Sequence, residues 1–332
     1  MGERSGRRVL IVGCGQLGSR HLQAVASLSM VDEIEVVDPR PEALALGRER
    51  LAELTDRPTS IRIRCCASLD EAAPGGALCI VATQAQGRCQ LVRDVAERLD
   101  YSSFLLEKIV GQSIREIGEL QAFVEAQHLA VWVNLKTRAY PIHLRIKERL
   151  GVGEPILFHA SGGNHGLANN GVHTADLFAF YDDAREIQLI GASIDPMLHP
   201  SKRGEGIFDL SGTLQGATAK GSHFALSYAP DHVQSELISV MTKRYRCLVD
   251  HMRRWAVESD ETTGWAWQPL SFEDDILVSQ MTKTFAADIL RFGRCLLPTL
   301  EESLVAHRFI LEAVQPTFSR LLDRQVELCP VT

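Results

Sequence analysis

The chain has 332 residues, of which 45% are hydrophobic and 23% charged, an ordinary composition for a globular protein with room for two domains. Its formal net charge is −7 and no basic cluster is interleaved with aromatic residues, so we expect no nucleic-acid partner. No stretch approaches the roughly 20 apolar residues that cross a bilayer, so we expect no membrane segment. The eight cysteines lack zinc-type spacing and several lie in apolar runs, which favours reduced thiols in a cytoplasmic protein.

The first 136 residues alternate strand-like and helix-like segments. Short apolar runs predict strands over residues 9–12, 34–37, 61–64, 78–82, 104–106 and 129–133. Helical spacing predicts helices over 16–28, 41–54, 90–99 and 113–127. This alternation predicts an α/β fold with a Rossmann-type, doubly wound parallel sheet, and we assign residues 1–136 to a dinucleotide-binding domain.

The pattern changes after about Asn134. A helix is predicted over 141–150, and two more over 275–292 and 300–321. Period-two segments predict strands over 156–160, 186–194, 207–214, 223–229 and 237–249. Strands in succession with helices grouped apart predict an α+β domain with a mostly antiparallel sheet, which we assign to residues 137–332 for substrate binding and oligomerisation. We expect Trp255, Trp265 and Trp267 to lie in the core or in an interface.

A glycine motif follows the first predicted strand and opens the first predicted helix, which is the context that dinucleotide binding requires. In Gly13-Cys14-Gly15-Gln16-Leu17-Gly18, we expect Gly13 to make the tight turn and Gly15 to let the backbone approach a pyrophosphate. Gly18 should let helix and strand pack closely. Gln16 and Leu17 lie at the helix N-terminus, whose N–H groups and positive dipole end favour phosphate.

Asp38 lies 20 residues after Gly18, at the end of the second predicted strand. A carboxylate at this distance accepts hydrogen bonds from the adenosine ribose and repels a 2′-phosphate, which favours NAD over NADP. Arg40, two residues on, could instead pair with a 2′-phosphate, so NADP stays open. The alternative interpretation is a plain glycine turn with a solvated aspartate after a strand.

With these residues in place, the chain resembles the Gfo/Idh/MocA family of oxidoreductases over nearly its whole length. The pieces that carry the resemblance are residues 13–21, Ala82-Thr83, Glu107-Lys108, Asn134 with Arg138 and Pro141, the segment 171–177 with its G-x-H-x-x-D-L pattern, and the late helix after Pro298. The resemblance implies that Thr83, Gln84, Glu107 and Lys108 help to bind the cofactor. Residues 15–23 also resemble relatives associated with bacterial surface-sugar biosynthesis.

Three positions depart from the family pattern. Ile109 replaces the proline after the lysine, which often has a cis bond and shapes the loop beside the nicotinamide. Gln84 replaces a proline or asparagine after the fourth strand. Asn169 replaces the aspartate four residues before the histidine, and this puts the proton path in question.

Two residues are candidates for acid–base chemistry. Lys108 ends a predicted parallel strand, where doubly wound sheets bind ligands, and a lysine there can take the proton of a substrate hydroxyl. A histidine side chain ordinarily titrates near neutrality, and the spacing places His173 on one helix face with Asp176, so His173 is a candidate to exchange a proton or hold the hydroxyl. The alternatives are a surface lysine after a strand and a capping or core histidine.

The substrate is expected to meet Asn169, Asp176, Arg138 and Asn164. The Asn169 amide can donate to a hydroxyl and accept from one. Arg138, with Lys136, fits either an anionic substrate group or an ion pair between domains. His128, His143, His251 and His307 offer no metal-ligand pattern, so we predict no metal.

These features predict an NAD(P)-dependent oxidoreductase, acting on the secondary alcohol or ketone of a sugar, sugar nucleotide, sugar acid or cyclitol. Two alternatives stay open. One is an NAD-bound enzyme without net redox chemistry, of the hydrolase or hydride-exchange type, and the other is a cofactor-binding sensor or regulator. The resemblance also implies a homodimer or homotetramer that pairs through the late sheet.

Overall fold

The computed structural model describes residues 7–55, 58–163, 166–231, 233–273 and 277–332, and contacts divide them into two units. The first unit contains residues 7–111, 115–134 and 277–300, and the second contains the rest of the described chain. The predicted boundary at 136/137 falls two residues from the division at 134/135. Residues 277–300, which we assigned to the C-terminal domain, instead group with the first unit. The functions given to the two domains stay predictions.

Six parallel strands form the sheet of the first unit. They are β1 (Arg8–Val12), β2 (Glu33–Val37), β3 (Arg62–Cys66), β4 (Leu78–Val81), β5 (Ser103–Leu106) and β6 (Ala130–Val133), in the order β3-β2-β1-β4-β5-β6. The order reverses between β1 and β4, and the carboxyl ends of strands at such a switch point border a ligand crevice. The predicted Rossmann-type sheet is therefore confirmed.

Four helices of the first unit alternate with these strands: α1 (Gly18–Ala26), α2 (Pro41–Ala52), α3 (Arg88–Leu99) and α4 (Ile114–Ala126). Leu10 and Ile11 of β1 have no exposed surface, as expected for a parallel strand that is covered on both faces. Pro41 occupies the first turn of α2, where its missing N–H costs no hydrogen bond.

The second unit contains helices α5 (Pro141–Arg149) and α6 (Leu167–Asp182) and an eight-stranded sheet. The strands of this unit, eight in the large sheet and two in a separate pair, are β7 (Leu157–Gly163), β8 (Gln188–Ile194), β9 (His199–Pro200), β10 (Phe208–Asp209), β11 (Gly212–Ala217), β12 (His223–Ala229), β13 (Leu237–Met241), β14 (Tyr245–Asp250), β15 (Trp255–Asp260) and β16 (Gln268–Pro269). The eight-stranded sheet has the order β16-β15-β14-β13-β7-β12-β11-β8, and β9 pairs with β10 separately. Within the described chain, only the β7–β12 pair of this sheet is parallel. The predicted mostly antiparallel sheet is confirmed.

Two predicted strands divide in the structure. Segment 237–249 forms the hairpin β13–β14, because the Thr242 hydroxyl accepts hydrogen bonds from the N–H groups of Arg244 and Tyr245 and closes a turn. Segment 207–214 divides into β10 and β11, with Gly212 at a φ of +128° at the start of β11. Strand β15 was not predicted.

The two late helices belong to different units. Helix α7 (Val278–Phe292) packs on α1 in the first unit. Helix α8 (Leu300–Leu321) brings Phe309 against Phe224 of β12, with ring centroids 5.2 Å apart, and Phe178 of α6 stacks on Phe224 at 4.9 Å. One face of the eight-stranded sheet is thus covered by α6 and α8.

The opposite face of this sheet carries exposed apolar side chains. Leu157 is 48% exposed and Met241, its partner across β7 and β13, is 40% exposed. Trp255, Trp265 and Trp267 are not in the core, because their exposed fractions are 44%, 39% and 42%. Their role in an interface stays a prediction. In the described residues, no helix combines the length and apolar character needed to cross a membrane.

Candidate functional site

The glycine motif forms the turn between β1 and α1. Gly13 has a φ of +90°, and a Cβ there would lie 2.9 Å from the carbonyl carbon of Ala82. A Cβ on Gly18 would lie 1.8 Å from the carbonyl oxygen of Gly13, so α1 could not pack against the turn with any larger residue. These positions match the roles predicted for both glycines.

The outer side of the same turn is bare. In the described chain, the only neighbour that a Cβ on Gly15 would meet within 4 Å is Arg40 Nη2, at 3.5 Å, so a ligand could approach the Gly15 backbone closely. Within the described residues, the N–H groups of Gln16 and Leu17 donate no hydrogen bond, and no side chain caps α1. Bare N–H groups at a helix N-terminus fit a diphosphate. The turn therefore passes the geometric test for a dinucleotide.

Asp38 lies at the carboxyl end of β2 and is 2% exposed. Its Oδ2 accepts from Cys14 N at 2.8 Å and from Arg40 Nη2 at 3.1 Å, and its Oδ1 accepts from Arg40 N at 3.0 Å and from Arg40 Nε at 3.1 Å. Burial acts to raise the pKa of Asp38, but these hydrogen bonds outweigh it and keep the pKa below its usual value. Ribose hydroxyls would therefore have to displace donors of Arg40, whose side chain is 59% exposed.

Two further predicted cofactor residues follow β4. The hydroxyl Oγ1 of Thr83 is buried and has no hydrogen-bond partner in the described part of the protein. A buried hydroxyl of this kind normally has a partner, so Thr83 is a fitting place for a cofactor amide or hydroxyl. Gln84, the next residue, is exposed.

Glu107 follows β5 and is held in a buried network. Its Oε1 accepts from Asn134 Nδ2 at 2.6 Å and pairs with His21 Nε2 at 2.9 Å, and His21 Nδ1 in turn meets Thr282 Oγ1 on α7 at 2.9 Å. Burial would raise the pKa of Glu107, but the bonds from His21 and Asn134 lower it to about 2. Glu107 is therefore an ionised anchor of the loop, rather than an acid that exchanges protons near neutral pH.

Lys108 lies between this anchor and Ile109 and is 6% exposed. The peptide bond from Lys108 to Ile109 is cis, although the family's proline is absent. Arg88 also holds this loop, and the sequence did not predict it. Arg88 is 1% exposed and donates a hydrogen bond to the carbonyl of Glu107 at 2.6 Å.

In the second unit, α6 carries Asn169 and His173 on one face, four residues apart. His173 is half-buried, whereas Asn169 is 1% exposed. The Asn169 amide donates to Phe208 O at 2.8 Å and to Asp209 Oδ2 at 2.9 Å, and its oxygen accepts from Thr332 N at 2.7 Å. Asn169 is thus an internal anchor, and the predicted contact with a substrate hydroxyl would have to displace one of these bonds.

Arg138 and Asp176 bind each other. Arg138 Nε donates to Asp176 Oδ2 at 2.8 Å and its Nη2 donates to Oδ1 at 2.6 Å, in a bidentate pair within the second unit. Asp176 has no exposed surface, and burial raises its pKa to about 6 despite the guanidinium. Arg138 therefore has its bidentate partner within its own unit, and Asp176 is buried against it, while contact of either residue with a substrate stays a prediction. Asn164 lies outside the described residues.

Among the described residues, no group of three or more His, Cys, Asp or Glu side chains could hold a metal ion. The carboxyl ends of the strands at the switch point of the first unit present backbone N–H groups, the ionised Asp38 after β2 and Lys108 after β5. Groups of these kinds can bind a dinucleotide and exchange one proton beside it.

No family model and no curated protein matches the sequence. Solved structures match it in fold. Levoglucosan dehydrogenase, solved with NADH and levoglucosan, has a TM-score of 0.75 and 13% identity, covering 96% of this chain and 98% of that chain. UDP-N-acetylglucosamine 3-dehydrogenase from Acidithiobacillus ferrooxidans has a TM-score of 0.70 and 14% identity, covering 97% of both chains.

The transcriptional regulator Gal80p from Kluyveromyces lactis has a TM-score of 0.73 and 15% identity, covering 95% of this chain and 90% of that chain. Identities this low establish the fold alone, because one fold serves unrelated functions. The fold that the family resemblance predicts, a dinucleotide-binding sheet together with an α+β unit, is confirmed.

Proposed function

We propose that this chain is an NAD-dependent oxidoreductase of the Gfo/Idh/MocA family. It moves a hydride between the nicotinamide and a secondary alcohol or ketone of a sugar, sugar nucleotide, sugar acid or cyclitol. The observation that carries this proposal is the bare glycine turn beside β1, with Asp38 at the end of β2 and Lys108 after β5. Neighbours of the same fold that are dehydrogenases of levoglucosan and of a sugar nucleotide support the substrate class.

Residues of the first unit would hold the cofactor. The N–H groups of Gln16 and Leu17 would bind the diphosphate, and Asp38 would accept from the adenosine ribose. Thr83 would bind near the nicotinamide. NAD is favoured because the ionised Asp38 repels a 2′-phosphate, while Arg40 is the residue that would accommodate NADP.

The bound nicotinamide would supply a two-electron acceptor at its ring. In the oxidative direction, the substrate C–H bond breaks and its electron pair leaves as hydride, while the hydroxyl proton goes to the neutral amine of Lys108 and a C=O bond forms. In the reductive direction, the Lys108 ammonium returns the proton to the oxygen. His173 holds the hydroxyl or shares its proton.

A cofactor-binding regulator without turnover is the second candidate. Two observations favour it: the regulator Gal80p shares the fold, and Asn169 is used for internal bonds. A pure sensor, however, has no evident need for both Lys108 and His173. A non-redox enzyme that uses NAD transiently would keep both residues but release no reduced cofactor.

Turnover of sugars and sugar nucleotides with NAD and NADP, followed by the absorbance of the reduced nicotinamide, tests the proposal. Lys108→Ala should lower kcat about 10²–10⁴-fold, the usual contribution of a general acid–base, with little change in NAD affinity. Binding of NAD without turnover of any tested alcohol would favour the regulator. Activity of Lys108→Ala within a few-fold of the parent would remove Lys108 from the mechanism.

We further propose that the chain forms a homodimer or homotetramer through the exposed face of the eight-stranded sheet. The support is the exposed apolar side chains on that face, Leu157 of β7, Met241 of β13 and Trp255 of β15. Exposed apolar patches of this kind mark association sites.

A further inference from the structure

Arg88, the first residue of α3, bridges two loops of the first unit. Its Nη1 donates to Glu107 O at 2.6 Å and to Ile109 O, and its Nη2 donates to Thr83 O. Thr83 follows β4, and the other two residues follow β5. One guanidinium therefore connects the backbone segments at the carboxyl ends of two adjacent parallel strands.

A cation at this position is energetically unfavourable in two ways. The first turn of a helix disfavours positive charge, and a side chain that is 1% exposed has lost its hydration. A guanidinium offers five donors in one plane and suits several carbonyls at once, which an ammonium or an apolar side chain cannot reproduce. We infer that the free-energy cost of burying this cation is kept because its hydrogen bonds hold the three carbonyls in place.

The carbonyls of Glu107 and Ile109 flank Lys108, and the same nitrogen of Arg88 binds both. The backbone of Lys108 is thereby fixed from both sides. We propose that Arg88 is a positioning residue for Lys108. By fixing the Lys108 backbone, Arg88 sets the point from which the lysine side chain extends and therefore where its amine meets a substrate hydroxyl. This inference rests on the proposed function only for its catalytic consequence.

Arg50 of α2 offers a matched control in the same unit. It is 9% exposed, and its Nη1 donates to Gln16 O and to Ser19 Oγ at 2.5 Å each, while its Nη2 donates to Gln16 Oε1 at 2.5 Å. Arg50 therefore holds the glycine turn as Arg88 holds the Lys108 loop. The loss of Arg50 should affect cofactor affinity, and the loss of Arg88 should affect proton transfer.

The first measurement needs neither cofactor nor substrate. The rate at which an amine-specific reagent labels Lys108 is measured by peptide mass spectrometry, relative to the exposed Lys283 of α7 in the same unit. In Arg88→Met the relative rate should rise roughly tenfold or more, because the buried lysine loses the bonds that hold its loop. Arg50→Met should leave it within twofold, and added guanidinium, below denaturing concentrations, should slow labelling again in Arg88→Met.

The second measurement uses turnover. In Arg88→Met, kcat should fall about 10²-fold, the cost of a displacement of about 1 Å in a reacting group, while KM for NAD changes less than threefold. Arg50→Met should show the reverse division, with a higher KM for NAD and a nearly unchanged kcat. Guanidinium should restore part of kcat in Arg88→Met only, which a general loss of stability would not produce.

Arg88→Lys keeps the charge and most of the length, and it supplies the same comparison if Arg88→Met does not fold. The proposal is overturned if Lys108 labelling in the folded Arg88 variants stays within twofold of the parent, or if Arg50→Met changes it equally. If the parent shows no turnover with any alcohol, the proposed function fails, while the labelling experiment still decides whether Arg88 positions Lys108.

Discussion

Asn169 and Asp209 form an amide–carboxylate pair at the start of α6. Asp209 Oδ1 accepts from Ala168 N at 2.8 Å and from Leu210 N at 2.9 Å, while its Oδ2 accepts from the Asn169 amide. Burial raises the pKa of Asp209 above its usual value, although these donors favour the ionised form. A carboxylate does lie beside position 169, but it comes from β10 rather than from α6.

This pair predicts that Asn169→Asp destabilises the protein. The new carboxylate would replace an amide nitrogen 2.9 Å from Asp209 Oδ2 and 2.8 Å from Phe208 O, so acceptors would face acceptors. The expected loss is about 3 kcal/mol of unfolding free energy, measured by denaturant titration. In the exchange variant Asn169→Asp/Asp209→Asn the amide donates in the opposite direction, so the double change should cost less than the sum of the single changes.

Asn170→Asp is the matched control for this prediction. It makes the same chemical change one residue later, where the side-chain oxygen accepts from Arg203 Nη2 at 2.9 Å and a carboxylate would accept equally well. It should change stability by less than about 0.5 kcal/mol. Additive losses in the exchange variant would show that the two side chains do not depend on each other.

The glycine roles could be predicted from the sequence because they are local. Gly13 and Gly18 are required because of close contacts with atoms of their own turn and of the segment after β4. The spacing of the two glycines in the sequence is therefore enough to predict these contacts. Arg50 and Arg88 could not be found in this way. Their acceptors in Gln16, Ser19, Glu107 and Ile109 lie 19 to 34 residues away along the chain, and arginine on a helix normally indicates a solvated face.

Helix α5 and the turn after β14 meet through two histidines, of which His143 is fully buried and His251 is partly exposed. The rings of His143 and His251 lie 4.3 Å apart, His143 Nδ1 is 2.5 Å from Tyr181 OH, and the charge of Asp250 acts to raise the pKa of His251. Burial lowers the pKa of His251 to about 4 and that of His143 well below its usual value. Both rings are therefore neutral in the folded protein at physiological pH.

This cluster predicts that the second unit loses stability in mild acid. Between about pH 6.5 and 4 the unfolded chain binds protons at these histidines and the folded chain does not, so unfolding becomes easier as pH falls. The shift of His251 alone corresponds to roughly 3 kcal/mol by pH 4. Three of the four tryptophans lie in this unit, so denaturant titration followed by tryptophan fluorescence measures it.

The double variant His143→Gln/His251→Gln removes both titrating groups. Its unfolding midpoint should depend less on pH between 6.5 and 4 than that of the parent, whatever its absolute stability. An unchanged slope in the double variant would mean that other groups cause the acid sensitivity.

Strand and helix types were predictable where the apolar pattern was strong, as for β1, β2, β12 and α8. The prediction missed the turn between β13 and β14, although the three polar residues Thr242-Lys243-Arg244 interrupt the polar–apolar alternation there. The return of α7 to the first unit could not be predicted either. An amphipathic helix shows its apolar face but not the partner that covers it, here α1.

At the scale of the whole molecule, the exposed face of the eight-stranded sheet predicts association. Light scattering of the parent at micromolar concentration should give the mass of a dimer or tetramer, because pairing would remove the exposed apolar surface of Leu157, Met241 and Trp255 from water. Leu157→Glu/Met241→Glu places two paired charges on that face and should give monomers.

Val152→Glu is the control for the charge itself. Val152 is fully exposed in the loop before β7, so this variant should associate like the parent. A monomer mass for the parent throughout this concentration range would reject the interface.

Titration calorimetry of the parent protein with NADH and with NADPH tests the central claim most directly. The bare N–H groups of the glycine turn and the ionised Asp38 predict one NADH site per chain, with weaker binding of NADPH because its 2′-phosphate meets that carboxylate. Tighter binding of NADPH would mean that Arg40, rather than Asp38, recognises the adenosine end of the cofactor. No measurable binding of either dinucleotide would contradict the account.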